Sequence, residues 1–315
     1  MNEFDLIAEI RRRSRAGRGV RLGIGDDAAV LDPDRGRRLV ATTDTLVAGR
    51  HFVDDGDAGA AAFEIGHLAL AVNLSDLAAM GAAPRWSLAA LTLPAGDPDW
   101  LGAFLDGYLA LAERHDCALV GGNLARGPLN IAVTALGEVV DDRFATRSGA
   151  RPGDRIVVTG TLGDAAAALA AGAGPGHPLR ARLLTPEPRV AAGAELAGLA
   201  RAMIDVSDGL LADLAHLLDG AGAELHTDKL PSSRALRAEV PDAARRQRLQ
   251  LAGGSDYELL AVLPGDRVVP AEAGGVPVSE IGRITGGGGI RCIDAGGNSV
   301  RTGTAGWDHF GMESA

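Results

Sequence analysis

Side chains that could bind a divalent cation recur along this sequence in short clusters, each beside an apolar stretch. The first is Asp26-Asp27, which follows two glycines within 22–31. The others are Thr42-Thr43-Asp44, Asn73 with Asp76, and Asp205 with Asp208. Carboxylate, amide and hydroxyl oxygens are ligands of hard cations such as Mg²⁺. Burial of paired carboxylates beside apolar residues is costly unless a cation balances their charge.

Each cluster by itself is also compatible with a structural role. Asp26-Asp27 fits an exposed Gly-Asp turn. Ser207 fits the N-cap of a helix that starts at Asp208, where the helix dipole favours carboxylates. The recurrence of four clusters favours a shared site with several Mg²⁺ ions instead. Such ions generally bridge and neutralise phosphates, so the pattern indicates phosphoryl transfer.

Other polar residues give weaker signals. Arg147, followed by Ser148-Gly149, could hold a nucleotide phosphate with its fork of donors, or be one surface arginine among many. The turn 160–164 joins a strand to a helix and could cradle phosphate, although it lacks the Gly-Lys-Ser/Thr of a P-loop. His51 and His309 could contact substrate or have a structural role, as a lone histidine often does. The sequence has no Ser/His/Asp order and no metal-spaced histidine pair.

Composition limits the class of protein. The chain has 315 residues, of which 46% are hydrophobic, so it can bury a large core in two domains. Its net charge of −10 argues against a nucleic-acid partner. An anionic substrate stays compatible with that charge, because bound cations invert the local field.

The sequence also indicates a cellular location. Cys117 and Cys292 give no disulfide framework and no zinc spacing, so both are expected to be core residues in a reducing cytoplasm. The N-terminus has no apolar signal core. No run reaches the ~18 apolar residues that a membrane span needs. We therefore expect a cytoplasmic protein with no membrane partner.

Hydrophobic periodicity and capping signals predict alternating helices and strands in both halves. The predicted helices are 4–13, 60–80, 98–115, an alanine-rich one after 164, 186–202 and 208–218. The predicted strands are 38–43, 87–93, 118–120, 129–140, 155–159, 257–263 and 278–284, with a glycine hairpin or loop at 286–289. On helix 60–80, Asn73 and Asp76 share a face. A polar break at 141–154 marks the boundary between a domain at 1–145 and another at 146–315.

These motifs together resemble the thiamine-monophosphate kinase family of the aminoimidazole ribonucleotide synthetase-like superfamily. The matching segments run in family order and include Gly23-Ile24-Gly25-Asp26-Asp27, Thr43-Asp44-Thr45-Leu46-Val47, Gly49-Arg50-His51-Phe52, 71–81, Arg126-Gly127-Pro128, 146–150, Val158-Thr159-Gly160-Thr161, 204–210, Asp256-Tyr257-Glu258-Leu259 and Asp308-His309-Phe310. The resemblance implies a two-domain α/β (α+β) fold with mixed or antiparallel sheets flanked by helices. It also implies a homodimer whose N-terminal domains pair their sheets.

The resemblance further implies direct transfer of a phosphoryl group from ATP to thiamine monophosphate, giving thiamine diphosphate. The implied Mg²⁺ ligands are Asp27, Thr42, Thr43, Asp44, Asp76, Asp205 and Asp208, with Asn123 at a further metal position. The implied ATP contacts are Gly122, Asn123, Arg147 and Ser207, and the implied substrate contacts are His51, Ser255 and Trp307. No residue is expected to act as a general base.

Two positions depart from the family pattern. Asn123 stands where the family has aspartate, and it offers a carbonyl oxygen without the charge. Ser255 stands where the family has a glutamate near the substrate. The departures leave two alternatives. One is a related ATP-using enzyme acting on another small phosphorylated or carboxylate substrate, and the other is a non-catalytic nucleotide-binding or regulatory protein.

Overall fold

The computed structural model describes residues 3–53, 59–140 and 143–302. The chain divides into two compact units. Unit 1 comprises Met1–Phe144 and Leu184–Val190, and unit 2 comprises Ala145–Leu183 and Ala191–Ala315. Leu184–Val190 thus belongs to unit 1, although the residues before and after it in the sequence belong to unit 2. The sequence did not predict this assignment.

Helices and strands alternate along the described part of the chain. The helices are α1 (Glu3–Arg13), α2 (Ala62–Ala79), α3 (Pro98–Arg114), α4 (Asp164–Ala170), α5 (Arg180–Leu184), α6 (Val190–Ala197), α7 (Leu210–Leu217), α8 (Arg234–Glu239) and α9 (Ala243–Ala252). The strands are β1 (Val20–Leu22), β2 (Val30–Leu31), β3 (Arg37–Val47), β4 (Ala83–Leu93), β5 (Ala118–Arg126), β6 (Asn130–Val140), β7 (Arg155–Thr159), β8 (Ala202–Asp205), β9 (Gly222–His226), β10 (Leu259–Leu263), β11 (Glu272–Ala273), β12 (Val276–Thr285) and β13 (Gly289–Ile293). None of these helices combines the length and apolar character that crossing a bilayer requires.

Unit 1 is built on a four-stranded sheet in the order β3-β6-β4-β5. Neighbouring strands are antiparallel except β4 and β5, which are parallel. On one face, residues of β6 such as Ile131 and Val133 are buried, and α2 contacts β3, β6 and β4. On the opposite face, side chains such as Thr43, Ala90 and Thr134 keep partial or full exposure. We call this second side the open face.

Helix α2 has no polar face because it is enclosed by the sheet on one side and α3 on the other. Of its 18 residues, 14 are buried. Helix α3 begins at Pro98 behind the N-cap Asp97, whose carboxylate accepts the N–H groups of Asp99 and Trp100 at 2.9 and 3.2 Å. Proline at the first helical position and an aspartate N-cap are local start signals. They explain why the predicted helix 98–115 is confirmed almost to the residue.

A reciprocal pair of glycines lets α2 and α3 touch through their backbones. A Cβ atom added to Gly66 of α2 would overlap the carbonyl oxygen of Phe104. A Cβ atom added to Gly107 of α3 would overlap the carbonyl oxygen of Phe63. No side chain larger than hydrogen fits at either point without separating the helices.

Unit 2 contains a mixed sheet in the order β13-β9-β12-β7-β10-β8, with β11 paired to β12. Only β13 and β9 are parallel neighbours among these described strands. Of the two alternatives for 286–289, the hairpin is wrong, because β9 lies between β12 and β13, and the loop is confirmed. The glycine segment instead crosses over β9, so closely that a Cβ atom on Gly222 would overlap the carbonyl oxygen of Gly287. The predicted class, two α/β units with mixed sheets flanked by helices, is confirmed.

The predicted helix 186–202 is shorter than expected. Helix α6 starts only at Val190, and β8 already begins at Ala202. Pro186 and Pro188 account for the late start, because the residue before a proline disfavours helical backbone angles. Within the predicted range 186–202, the helical residues are therefore Val190–Ala197.

The segment that contains these prolines is tied to unit 1 by polar contacts. His67 Nε2 on α2 lies 2.9 Å from the Pro186 carbonyl oxygen. Glu187 pairs with Arg114 at 2.7 Å and with His115 Nε2 at 3.2 Å. Burial lowers the pKa of His67, so a neutral imidazole donates this hydrogen bond at neutral pH.

Candidate functional site

Two side chains of α2 contact the neighbouring strand β3. The Thr42 hydroxyl donates a hydrogen bond to Asp76 Oδ2. The fully buried Asn73 accepts the Asp44 N–H through Oδ1 at 3.1 Å and donates to the Ala69 carbonyl oxygen at 3.0 Å. Thr42 and Asp44 share the helix-facing side of β3, because successive strand residues point to opposite faces. Thr42, Asp44, Asn73 and Asp76 therefore form one cluster, here called the β3 group.

Thr43 lies on the other face of the same strand. Its hydroxyl donates to the Val133 carbonyl oxygen at 3.0 Å and accepts from the Thr134 hydroxyl at 3.1 Å. Its side chain thus belongs to the open face and does not join the β3 group, although the sequence grouped it with Thr42 and Asp44. Because side chains alternate between the two faces along a strand, the sequence could have predicted that Thr43 points away from Thr42 and Asp44.

His51 lies in the turn that follows β3. Its Nδ1 accepts the Val47 N–H at 3.0 Å, and its own backbone N–H donates to the Val47 carbonyl oxygen at 3.0 Å. In a neutral imidazole this leaves the proton on Nε2, which can then donate to a bound anion. The two bonds fix the ring near the end of the strand that carries Asp44.

Gly122 and Asn123 lie on β5, at the opposite edge of the sheet from β3. Two strands separate the edges, and adjacent strands lie about 4.8 Å apart, so the edges are about 14 Å apart. Asn123 is exposed and pairs in register with Ala90, an open-face residue of β4. Within one copy of the chain, the structure therefore does not bring Asn123 or Gly122 to the β3 group.

Asp26 and Asp27 lie in the loop that joins β1 to β2. Both are exposed, and the Asp27 N–H donates to Asp26 Oδ1 at 2.9 Å. The expected cost of burying this pair therefore does not arise, and the turn interpretation describes its local structure. Gly23, at the start of the loop, adjoins β5, because an added Cβ atom would lie 4.0 Å from the Val120 carbonyl oxygen.

The oxygen donors of unit 1 thus fall into two sets. Among residues 3–53, 59–140 and 143–302, no three His, Cys, Asp or Glu side chains converge closely enough to hold a metal ion. One set is the β3 group, and the other, with Asp27 and Asn123, belongs to the β1–β2 loop and the β5 edge. All are hard oxygen donors, which is the chemistry that Mg²⁺ requires.

In unit 2, the loop after β8 is organised by an aspartate that the sequence analysis missed. Oδ2 of Asp213 accepts the N–H groups of Ser207, Asp208 and Gly209 at 3.0, 3.1 and 3.0 Å. Burial, and then the neighbouring Asp208 carboxylate, raise the pKa of Asp213 to about 7. An acidic residue in the first turn of a helix after a Ser-Asp-Gly loop was the available signal.

The same loop corrects the predicted helix start. Helix α7 begins at Leu210 with Gly209 as its N-cap, and the Ser207 side chain does not cap it. Ser207 and Asp208 precede the helix and are half-buried, whereas Asp205 at the end of β8 is buried. Ser207 and Asp208 therefore lie on a loop rather than in the first helical turn.

Ser255 is held beside this loop by the backbone. Its N–H donates to the Ser207 carbonyl oxygen at 2.8 Å, and the Tyr257 N–H donates to the Val206 carbonyl oxygen at 2.9 Å. Both Ser255 and Tyr257 have positive φ angles, 61° and 50°, which are uncommon for residues other than glycine. The structure thus brings Ser255 next to Ser207 and strains the backbone to do so.

The glycine turn before α4 is not available to phosphate. Asp256 accepts the Gly163 N–H with both carboxylate oxygens, at 3.0 and 2.9 Å. Glu258 accepts the Thr161 N–H at 3.4 Å and the Thr159 hydroxyl at 2.8 Å. The expectation of a phosphate cradle at 160–164 is therefore wrong, because two carboxylates of the protein occupy it.

Arg182 of α5 balances only part of this buried negative charge. It pairs with Glu258 at 2.8 Å and with Asp164 at 3.4 Å. Asp164 also accepts hydrogen bonds from the Thr161 and Ser233 hydroxyls, both at 2.6 Å. Burial raises the pKa of Asp256, so one member of the carboxylate cluster holds a proton more readily than a solvated aspartate does.

Arg147 lies on an exposed segment beside β8. The Thr146 carbonyl oxygen accepts the Met203 N–H at 2.8 Å, which places Arg147 along the strand that ends at Asp205. Trp307 and His309 lie outside the described residues. Cys117 and Cys292 are free and buried, which confirms them as core residues.

Family models, curated proteins and solved structures all match this chain over most of its length. The AIR synthase related protein, N-terminal domain, matches residues 25–139, and the corresponding C-terminal domain matches residues 151–295. Thiamine-monophosphate kinase of Escherichia coli (strain K12) is 43% identical over 323 residues, covering 98% of each chain. The crystal structure of thiamine-monophosphate kinase from Stenotrophomonas maltophilia K279a matches with a TM-score of 0.82 and 45% identity, covering 92% of this chain and 96% of that one. The structure of AaThiL complexed with AMPPCP and TMP matches with a TM-score of 0.77 and 32% identity, covering 98% and 97%.

Proposed function

The chain belongs to the thiamine-monophosphate kinase family of AIR synthase related proteins, and we propose that it transfers a phosphoryl group from ATP to thiamine monophosphate. The observation that carries the proposal is similarity over 98% of the chain to a kinase of that name. A second relative is complexed with AMPPCP, an ATP analogue, and TMP together, which supports ATP as the co-substrate. The product is thiamine diphosphate, a molecule of the thiamine biosynthetic route.

The reaction mainly requires that the two anionic substrates be positioned and their negative charge neutralised. The acceptor is a phosphate monoester whose second pKa is about 6, so it is largely ionised at neutral pH. It can attack without a general base, which fits a chain that offers no catalytic histidine or nucleophile. The barrier comes from bringing two anions together, and a site of this kind works by positioning and electrostatics.

Oxygen donors in each unit would hold Mg²⁺, which when bound would supply positive charge to the phosphates of the two substrates. We assign this role to Asp27, Thr42, Asp44, Asp76, Asn123, Asp205 and Asp208. Thr43 was expected in the same set, but its side chain belongs to the open face and is left out of the assignment. The Thr42–Asp76 hydrogen bond and the Asn73–Asp44 hydrogen bond support the assignment, because they hold two carboxylate-bearing segments in place beside each other.

The remaining polar residues would bind the two substrates. We assign Gly122, Asn123, Arg147 and Ser207 to ATP, and His51, Ser255 and Trp307 to thiamine monophosphate. The Val47 N–H holds His51 Nδ1 in the turn after β3, and this position beside the strand that carries Asp44 supports the assignment of His51. We further assign the metal and ATP site and dimerisation to the domain at 1–145, and the substrate and phosphate side to the domain at 146–315.

We propose that two copies of the chain pair through the open faces of their unit 1 sheets. Alanine, leucine and threonine side chains dominate that face, including Thr43, Leu88, Ala90 and Thr134, and such a surface suits contact with a second copy. The division of the oxygen donors between two sheet edges supports the same arrangement. In a dimer, Asp27 and Asn123 of one copy would complete the β3 group of the other.

Mixing two inactive variants tests this dimer. Asp44→Ala removes a donor of the β3 group, and Asp27→Ala removes a donor of the other set. If the partner copy completes each site, co-refolded mixtures regain up to a quarter of parental activity, because half of the dimers are mixed and each has one intact site. A mixture as inactive as its components would contradict a shared site.

ATP turnover with and without thiamine monophosphate tests the function. We expect ADP release that depends on thiamine monophosphate and Mg²⁺, and a product with the mass of thiamine diphosphate. ADP release with another small phosphorylated or carboxylate acceptor instead would favour a related enzyme of the superfamily. No turnover of any acceptor would favour the non-catalytic alternative.

We also propose a cytoplasmic location. The two free, buried thiols support it, because they suit a reducing compartment in which no disulfide is needed.

A further inference from the structure

Three consecutive backbone N–H groups converge on one carboxylate oxygen in the loop between β8 and α7. The N–H groups of Ser207, Asp208 and Gly209 all lie within 3.1 Å of Asp213 Oδ2. A row of backbone N–H groups curved in this way is an anion-binding concavity, which in other loops receives a phosphate. Here the anion is a side chain of the protein itself.

Asp213 cannot take part in the reaction directly. Its side chain is only 2% exposed and lies beneath the loop, whereas Ser207 and Asp208 above it are half-buried. The direct contacts of Asp213 with Ser207 and Asp208 are hydrogen bonds from their backbone N–H groups, so any effect of Asp213 on a bound nucleotide or metal passes through these residues. The Ser207 carbonyl oxygen also accepts the Ser255 N–H, so the loop in turn supports the segment that carries Ser255.

We propose that Asp213 is the positioning residue for Ser207 and Asp208, and that it sets the affinity of the enzyme for magnesium-bound ATP. The inference rests on the proposed function, which assigns Ser207 to ATP and Asp208 to Mg²⁺. Without the central oxygen, three consecutive N–H groups lose their common acceptor, although the Ser207 carbonyl oxygen still accepts the Ser255 N–H. Three buried hydrogen bonds are lost together, so we expect a large effect on the loop.

The chain offers a matched control in the same unit. Asp154 is 4% exposed and also accepts backbone N–H groups, those of Arg151 at 2.9 Å and Gly265 at 3.3 Å. It lies before β7 and holds no residue that we assign to the site. Asp154 also pairs with Arg201 at 3.1 Å. Asp154→Ala and Asp213→Ala both remove a buried carboxylate that accepts backbone N–H groups, but only Asp213 accepts those of the proposed nucleotide loop.

The test measures binding as well as activity in the full-length chain. Calorimetry with Mg²⁺ and AMPPCP gives the nucleotide affinity, and a Mg²⁺ titration of ATP turnover gives the metal requirement. We expect Asp213→Ala to weaken AMPPCP binding at least about tenfold and to raise the Mg²⁺ requirement. Asp213→Asn keeps an oxygen acceptor in place and should recover part of the affinity. Asp154→Ala should lower the melting temperature without changing either quantity.

Two outcomes separate this inference from the proposed function. If folded Asp213→Ala binds Mg²⁺-AMPPCP like the parent, Asp213 has only a structural role and the inference is wrong. If Asp213→Ala does not fold, Asp213→Asn with parental affinity and parental Mg²⁺ requirement has the same meaning. If the parent binds Mg²⁺-AMPPCP but does not phosphorylate thiamine monophosphate, the proposed function fails while the affinities still decide the role of Asp213.

Discussion

The Thr42 hydroxyl is the contact through which β3 meets the Asp76 carboxylate, and a pair of substitutions isolates it. Thr42→Val removes the hydroxyl at nearly constant volume, and Thr42→Ser keeps it. A hydrogen bond to a charged group contributes about 1.5–3 kcal/mol, and ~1.4 kcal/mol is tenfold in rate. We expect kcat/KM to fall at least about tenfold in Thr42→Val and to change little in Thr42→Ser. Steady-state kinetics at saturating Mg²⁺-ATP checks this, and equal activity of both variants would remove Thr42 from the site.

Ser255 tests the substrate side. The family has a glutamate where this chain has Ser255, and a carboxylate there would attract the cationic thiazolium ring of thiamine monophosphate. Ser255→Glu should therefore lower the KM for thiamine monophosphate, while Ser255→Gln, which has the same shape without the charge, should not. The KM for ATP should stay constant in both variants. An increased KM in Ser255→Glu, together with good use of another acceptor by the parent, would contradict the substrate assignment.

Asp256 links the buried carboxylate cluster to stability. Burial raises its pKa in the folded protein above the ordinary value of 3.8. As pH rises from that value, the unfolded chain loses the proton while the folded chain keeps it, so this residue lowers stability with rising pH. Asp256→Asn keeps an acceptor for the Gly163 N–H but cannot ionise.

We therefore expect the unfolding free energy of Asp256→Asn to decline less between pH 4 and pH 7 than that of the parent. The difference in slope is at most about 1.4 kcal/mol per pH unit, because one proton is involved. Urea unfolding across this range measures it. Parallel curves for the two proteins would mean that Asp256 is already ionised in the cluster beside Arg182, Asp164 and Glu258.

Among the elements, helix starts could be predicted from neighbouring residues, whereas the pairing of strands far apart in the sequence could not. Helix α3 could be predicted because its start signals are adjacent in the sequence: Asp97 is the N-cap and Pro98 is the first helical residue. The position of β9 between β12 and β13 was not predictable, because nothing near 286–289 reveals a strand that comes from 60 residues earlier. The same limit applies to Asp44 and Asn123, since a motif does not show which sheet edge its strand occupies.

The site residues that were missed have a common property. Asp213 was missed because its partners are backbone N–H groups, and its one signal in the sequence was an acidic residue in the first turn of the helix that follows Ser207-Asp208-Gly209. Asp256 and Glu258 were seen as part of a motif, but their contacts with the glycine turn at 160–163 became visible only in the fold. At 160–163 carboxylates occupy a turn that the sequence alone offered to phosphate, and at 207–209 another carboxylate occupies a similar row of backbone N–H groups.

The contact between α2 and α3 predicts opposite effects for two glycines. Gly66→Ala places a methyl group on the Phe104 carbonyl oxygen, so the helices must separate. We expect a loss of about 1–3 kcal/mol or more, as for other overpacked sites. Gly102→Ala on α3 meets only an arginine side-chain nitrogen at 3.8 Å and should stabilise the protein by about 0.5–1 kcal/mol. Thermal unfolding of both variants checks the signs, and stabilisation by Gly66→Ala would contradict the contact.

For the whole molecule, the open face predicts the oligomeric state. Ala90 is exposed on that face, and Ala90→Glu would place a charge in the proposed interface between two copies. We expect this variant to be monomeric and to lose activity, because each site would lack the donors of the partner. Leu169→Glu, at a 61% exposed position on α4, should leave mass and activity unchanged. Light scattering measures the mass. A dimeric Ala90→Glu variant would show that the copies pair through another surface.

The two glycines between α2 and α3 also constrain how the sequence of this protein can drift. Gly66 and Gly107 meet reciprocal carbonyl oxygens, so one wider spacing of the helices relieves both overlaps. Once one glycine has been replaced and the helices have separated, the second replacement enters space that already exists. The two substitutions are therefore less costly together than their separate effects suggest. A lineage that loses one of these glycines has little selective reason to keep the other, so the pair should be inherited or lost as a unit.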